Sequence, residues 1–448
     1  MAPPRRWAAH SEETPERAPS QILAGRALIG GRLQPVEIAI DEEGVIQSVG
    51  RTRTGAPRRD VGDRVILPAA TDLHVHLREP GGAGESIAAG TIEAAIGGVA
   101  LVGDMPNNDP PITRPDRLEE KERRVHGRAA VDVLLYATPV QPDSVAALAA
   151  RAGAFKIFVS PTTGIEDAPD RPRLAALLRA IAPHDLPVSV HAEAPPEFSD
   201  GGPVRDTAGW NAHRPPLAEE TAIGWLAGSS DWLRLHVAHA TLPSSVRTLR
   251  SMGWSFEVTA HHLLLSDRAG RDPRFKVNPP LRSEADRAAL WGAFCRGEVP
   301  VLASDHAPHP VERKSAEFAR APSGMPGLET TLPILLARVR AAELPLEVLV
   351  RAACDRPARW LGQPLGRIAP GHRANLLIVD FRARRAITAS ALHAPCGWTA
   401  FEGWEAIWPV EHWRDGAPIV EGGEYVGGPH GRVVVPEFSP AARALRAG

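Results

Sequence analysis

Between residues 64 and 304 the chain repeats one alternation eight times, a short apolar run followed by a longer stretch of helical spacing. The runs fall at 64–73, 99–105, 131–137, 154–159, 187–191, 233–239, 255–260 and 300–304. Between them, residues 85–96, 114–125, 143–152, 171–181, 217–227, 244–252 and 284–295 carry helical patterns, and two more follow at 328–341 and 346–351. Strands that alternate with helices build a parallel sheet. Runs that are nearly continuous in apolar residues suit strands buried on both faces. Eight such units predict an α/β architecture, a (β/α)8 TIM-like barrel of about 250 residues.

A chain of 448 residues leaves material for more than the barrel. Residues 22–49 hold alternating segments at 36–40 and 45–49 around the acidic turn Asp41-Glu42-Glu43-Gly44. Beyond residue 366, short apolar segments at 374–380, 417–421 and 432–435 are mostly bounded by Gly or Pro. These ends predict a small β-domain assembled from 21–66 and 366–448, beside a barrel spanning 67–365. Residues 1–20, rich in Pro, Ala, Arg and Glu, are expected to form a disordered tail.

A formal net charge of -2 argues against a nucleic-acid or anionic-membrane partner recruited by bulk electrostatics. Cys295, Cys354 and Cys396 are widely spaced and form no C-x-x-C pair, so neither a disulfide framework nor a Cys-type zinc site is indicated. A reducing, cytoplasmic setting is expected. No apolar run fits a signal peptide or a membrane span.

The residues that carry chemistry sit at the ends of the predicted strands, where barrels of this kind place their active sites. In Asp72-Leu-His-Val-His76 the two-residue spacing puts His74 and His76 on one side of an extended chain. His191 ends the fifth run, His239 ends the sixth, and Asp305 follows the eighth. Imidazole and carboxylate together suit a borderline cation such as zinc. Lys156 lies among Phe155, Ile157, Phe158 and Val159, where an ammonium is costly to bury. It either snorkels to the barrel mouth or is a carbamylated lysine, a modification that requires the neutral amine favoured by desolvation.

Several segments are specific enough to name a family. Asp72-Leu-His-Val-His-Leu-Arg-Glu-Pro-Gly81 resembles the first signature of the dihydroorotases, shared in part with allantoinases, and Ser304-Asp-His-Ala-Pro-His309 resembles their second. Asn278-Pro-Pro-Leu-Arg282 and Gly324-Met-Pro-Gly-Leu-Glu-Thr330 also match the pattern. The resemblance runs from about residue 22 to the C-terminal strands. It implies that His74, His76, Lys156 and Asp305 bind one Zn2+ ion, and that Lys156, carboxylated and bridging, binds a second with His191 and His239. It implies further that Arg78, Asn107 and His309 hold a substrate carboxylate, with Asn278, Ser323 and Gly324 near the ring.

The reaction implied is the reversible hydrolysis of (S)-dihydroorotate to N-carbamoyl-L-aspartate in pyrimidine biosynthesis, with metal-activated water and Asp305 as catalytic proton carrier. A homodimer, and association with an aspartate transcarbamoylase, are the expected assemblies. Two alternatives stand beside this reading. Allantoinases and hydantoinases share the metal scaffold but typically lack an arginine at the position of Arg78. A catalytically silent scaffold for aspartate transcarbamoylase would usually have lost metal-ligating residues, whereas all six are present here.

Overall fold

The computed structural model of the protein describes residues 18–436 and 438, apart from 52–54, 83, 200, 201, 203 and 229–232. The expected N-terminal tail therefore lies outside the described residues as far as residue 17. By Ser20 the chain is already tied down, donating its backbone N–H to Ile40 O at 2.8 Å.

Strands β1 (Gln21–Ile29) and β2 (Arg32–Ile40) form an antiparallel hairpin with register Ile29↔Arg32. Its two turn residues, Gly30 and Gly31, have φ of 55° and 80°. A two-residue hairpin turn of this kind asks for positive φ at both positions, which glycine adopts without a Cβ clash. β3 (Ile46–Gly50) adds to β2, and β4 (Arg58–Pro68) runs parallel to β1.

The barrel follows in chain order: β5 (Ala70–Val75), β6 (Val99–Asp104), β7 (Asp132–Ala137), β8 (Ala154–Phe158), β9 (Pro187–His191), β10 (Arg234–Val237), β11 (Ser255–Thr259) and β12 (Val301–Ala303). Each is parallel to the next. The ring closes from β12 to β5 through an isolated parallel bridge, Val75↔His306, with His76 N donating to His306 O at 2.8 Å. Asp72 strengthens this seam, its carboxylate accepting the N–H of Ser304. Helices such as Ile87–Gly97, Arg171–Ile181 and Glu284–Cys295 connect the strands, as their apolar spacing predicts.

The apolar run at 64–73 is divided between two sheets rather than forming one strand. Ala69 N donates to Asn375 O and Ala70 N to Gly98 O, both at 2.9 Å, so the chain leaves one ladder and enters the other within two residues. β13 (Leu376–Val379) then pairs antiparallel with β4, from Leu376↔Pro68 to Val379↔Val65. Strands Glu411–Arg414, Ala417–Glu421 and Glu424–Tyr425 extend this sheet beyond β13. Val433–Val434 leaves it and pairs with β7 of the barrel.

The terminal sheet has its own apolar core, with Leu23, Ile38, Ile40, Ile66, Ile378 and Trp413 packed together. Each fully buried Leu or Ile there contributes roughly 1.5–3 kcal/mol. Some helices depart from expectation. The stretch 143–152 is a 3-10 turn, Pro142–Ser144, plus one short helix, Val145–Ala149. Thr207–His213 and Ala260–Leu264 are helices that the apolar spacing did not reveal. Among the described residues no helix is long and apolar enough to cross a membrane.

Candidate metal centre and catalytic pocket

β5 delivers His74 and His76 to the barrel mouth, and the turn after β12 delivers Asp305. The Nε2 atoms of both imidazoles lie 3.3 Å from Asp305 Oδ1. Behind them, His74 Nδ1 is 2.5 Å from Glu257 Oε1 and His76 Nδ1 is 2.6 Å from Asn107 Oδ1. Both partners are oxygens that can only accept, so each Nδ1 carries the proton and each Nε2 turns its lone pair toward Asp305. Three acceptors thus face one another without a hydrogen between them.

A second pair of imidazoles lies beside the first, and there one ring can donate to the other. His191 Nε2 lies 2.8 Å from Glu193 Oε2, which leaves Nδ1 as an acceptor 3.0 Å from His239 Nε2. His239 Nδ1 has no hydrogen-bond partner among the described residues. Lys156 is fully buried; among the described residues its Nζ hydrogen-bonds only Ser189 Oγ, at the long distance of 3.5 Å. The lone pairs of His74 and His76 that face Asp305 are what a cation relieves, and this donor set fits a divalent ion of the zinc class.

Burial sets the protonation states. It pulls the His74 imidazole down to about 4 and holds those of His76 and His239 well below the usual range. Neutral imidazoles are what metal ligation needs. Burial also brings the Lys156 ammonium down to about 8, against the pull of Glu257 and Asp305, and raises the Asp305 carboxyl.

Carboxylates behind the imidazoles fix their orientation, the arrangement that keeps a metal-ligating histidine in one tautomer. Glu257 on β11 accepts from His74 and His236, the latter at 2.9 Å. Burial raises its carboxyl, but the two imidazoles outweigh that and hold it well below the carboxylate range. Glu193 is held in turn by Arg214, with Nη2 at 2.6 Å. Glu257 and Glu193 escaped the sequence reading. The available signal was an acid inside the apolar run Ser255-Phe-Glu-Val-Thr259, the same kind of signal that singled out Lys156.

Ten of the twelve residues predicted from the sequence line one pocket: His74, His76, Arg78, Asn107, His191, His239, Asn278, Asp305, Ser323 and Gly324. The other two lie beside it. Lys156 is near enough to act electrostatically on His74, His76, His191 and His239, and His309 Nε2 is 3.4 Å from Arg78 Nη2. His309 also bonds Ser323 O at 2.9 Å. Asn107 spends one amide hydrogen on Thr163 O, at 2.9 Å, and keeps the second. Gly324 has φ of 128°, and a Cβ there would meet Ala307 O at 2.5 Å, so only glycine fits.

Arg78 is the exceptional side chain. It is buried, and its Nε and Nη1 have no hydrogen-bond partner among the described residues. Burial lowers its guanidinium to about 10, still charged at neutral pH. Arg78, His239 and Asp305 also adopt positive φ, of 57°, 35° and 46°. Left-handed backbone at non-glycine residues is held only where the surroundings enforce it, commonly at functional sites.

Residues 65–404 match the model of the amidohydrolase family. The chain belongs to that family. It is 34% identical over 418 residues to the dihydroorotase of Halobacterium salinarum, covering 90% of this chain and 97% of that one. It is 37% identical over 380 residues to the dihydroorotase of Methanopyrus kandleri, covering 81% and 86%. Among solved structures, the L-hydantoinase of Arthrobacter aurescens superposes with a TM-score of 0.85 at 26% identity, over 93% of this chain and all of that one. The protein is a cyclic amide hydrolase, and enzymes of its family are metal-dependent.

Proposed function

We propose that the protein is a dihydroorotase, interconverting (S)-dihydroorotate and N-carbamoyl-L-aspartate. The observation that carries this reading is Arg78, a buried guanidinium with two unpartnered donor nitrogens beside the histidine cluster. Free planar donors in a desolvated pocket suit a carboxylate, which can accept from both. Dihydroorotate presents a carboxylate on a cyclic ureide, whereas hydantoin presents none.

The residues that would hold two zinc ions are His74, His76 and Asp305 for one, His191 and His239 for the other, and Lys156 between them. For Lys156 to serve, its neutral amine adds to CO2 and releases a proton, giving a carbamate whose oxygens replace the ammonium. Bound divalent ions supply Lewis acidity and lower the pKa of water. Arg78, with the spare amide hydrogen of Asn107 and with His309, orients the substrate carboxylate. Asp305 takes a proton from the attacking water and delivers it to the departing ring nitrogen; in the synthetic direction the transfers reverse. Glu257 and Glu193 fix the tautomer and aim of His74 and His191, while burial keeps those imidazoles neutral.

A hydantoinase-type substrate is the second reading, supported by the likeness to the Arthrobacter aurescens enzyme. Zinc-loaded protein assayed on dihydroorotate, allantoin and hydantoin separates the two. Dihydroorotate is expected to be turned over with the highest kcat/KM; preference for hydantoin would overturn the proposal. Arg78→Met is expected to lower kcat/KM for dihydroorotate by about a hundredfold, the cost of truncating one partner of a buried charge pair, and to affect an uncharged cyclic imide far less.

A further inference from the structure

The lip of the pocket that carries Ser323 and Gly324 belongs to no helix or strand over residues 315–324. Its backbone carbonyls therefore need partners from elsewhere. Two lysines supply partners for five of them. Lys276 Nζ donates to Phe318 O, Ala319 O and Ala321 O at 3.0, 2.9 and 2.9 Å. Lys314 Nζ donates to Pro322 O and Gly324 O at 2.9 and 3.0 Å, and to Lys276 O at 3.3 Å. The same Lys276 O accepts Gly324 N at 2.9 Å, so the two lysines are locked into one unit with the lip.

Both side chains are buried, and neither has a carboxylate within ion-pair distance among the described residues. Aromatic faces flank them instead, Trp210 at 4.4 Å from Lys276 Nζ and Trp398 at 5.5 Å from Lys314 Nζ. Burying an ammonium without an ion-paired carboxylate is costly unless its three donors are filled, and only Lys314 feels an acid at longer range, Asp272. Each lysine here fills all three with carbonyls, and five of those six carbonyls belong to one seven-residue stretch. A folded core has cheaper ways to close a loop; this arrangement fixes the path of one backbone segment carbonyl by carbonyl.

We propose that Lys276 and Lys314 are positioning residues that hold the 318–324 lip in its substrate-contacting form, and so govern substrate affinity more than turnover. Neither touches the reacting groups. Their effect passes through Ser323 and Gly324, and through His309, which bonds Ser323 O. The inference rests on the proposed role of the pocket as the cyclic-amide site. If the lip is in its competent form only about a tenth of the time without the clamp, apparent affinity falls about tenfold.

The test is steady-state kinetics on zinc-loaded Lys314→Met and Lys276→Met, with metal content and hydrogen exchange measured on the same samples. KM is expected to rise about tenfold with kcat within about threefold, the signature of lost binding without lost transition-state contacts. Exchange is expected to speed up at the Arg320, Ala321 and Gly324 amides while the barrel strands and bound metal stay unchanged. Lys314→Gln, which keeps two donor hydrogens, is expected to fall between wild type and Lys314→Met, and it carries the test if the methionine variants do not fold. A fall in kcat with KM unmoved, or no change in either, overturns the clamp. If wild type does not turn over dihydroorotate the proposed function fails instead, and the same comparison is read on whichever cyclic amide it hydrolyses.

Discussion

Two buried clusters of histidine and acid flank the Asp305–His306 peptide, and similar side chains behave in opposite ways in them. On one side His74, His76 and Asp305 bring three acceptor atoms together, each imidazole 3.3 Å from the carboxylate and neither with a hydrogen to offer it. On the other, Glu85, Glu93 and His306 gather just as closely. There His306 Nδ1 accepts the N–H groups of Gly327 and Leu328, both at 3.2 Å, and Nε2 donates to Glu85 at 3.1 Å. Glu85 also accepts Ser86 N at 2.7 Å. Burial, and then the neighbouring Glu85, push the Glu93 carboxyl well above its usual range, so it keeps a proton to share.

Residue type alone therefore does not make a metal site. What distinguishes the clusters is whether the lone pairs already have hydrogens. In the second, both ring nitrogens of His306 are satisfied and its own carbonyl accepts His76 N, so it acts as scaffold, while Glu93 Oε1 has no hydrogen-bond partner among the described residues. The first is a candidate site for a cation, and it opens onto the pocket.

That contrast can be broken most forcefully at Asp305. Asp305→Ala is expected to lower bound metal, measured by elemental analysis, and to reduce turnover by about 10²–10⁴-fold or more. Full retention of both would place the first cluster in the same class as the second. A smaller effect is expected from Glu257→Gln, which leaves every ligand in place but weakens the orientation of His74. A loss of about 10–100-fold in metal affinity or activity is typical of such partners, and an unchanged zinc titration would refute that role for Glu257. The smallest change is expected at Glu93→Gln, which mimics the neutral acid. Metal content is expected to hold, with stability altered by at most about 1.5 kcal/mol, the net worth of one hydrogen bond.

The pH dependence at Glu93 has a definite sign. Its folded-state pKa lies above its unfolded value, so between the two the folded chain holds a proton that the unfolded chain has lost. Its contribution is complete below the ordinary carboxylate range and falls as pH rises from that range up through the raised folded-state value. Denaturant titrations at several pH values are expected to show that this slope is smaller in Glu93→Gln.

The barrel strands were legible because each is apolar, short and bounded by helical spacing, and Pro187–His191 falls on its predicted run without adjustment. The run at 64–73 was not legible as two strands. Nothing local to Pro68 and Ala69 marks the change of sheet, which depends on Asn375, some three hundred residues away. The short helix Thr207–His213 shows no apolar stripe to read, its only fully buried side chain being Thr207. In the site, residues with a distinctive pattern could be grouped from sequence. Glu193 and Glu257 could not, since a buried acid has no evident purpose until the imidazole it faces is known. Lys276 and Lys314 resemble ordinary surface lysines in polar segments, and only the fold reveals the carbonyls around them.

The pairing of β4 with β13 also constrains how the enzyme comes into being. β4 leads directly into the strand that bears His74 and His76, and one of its flanks is covered only by residues 376–379. A ribosome that has translated as far as Asp305 has supplied every proposed ligand, yet not the segment that braces the first of them. The strand that braces β4 is thus made only after every proposed ligand, and the ends of the chain must meet before the sheet is complete.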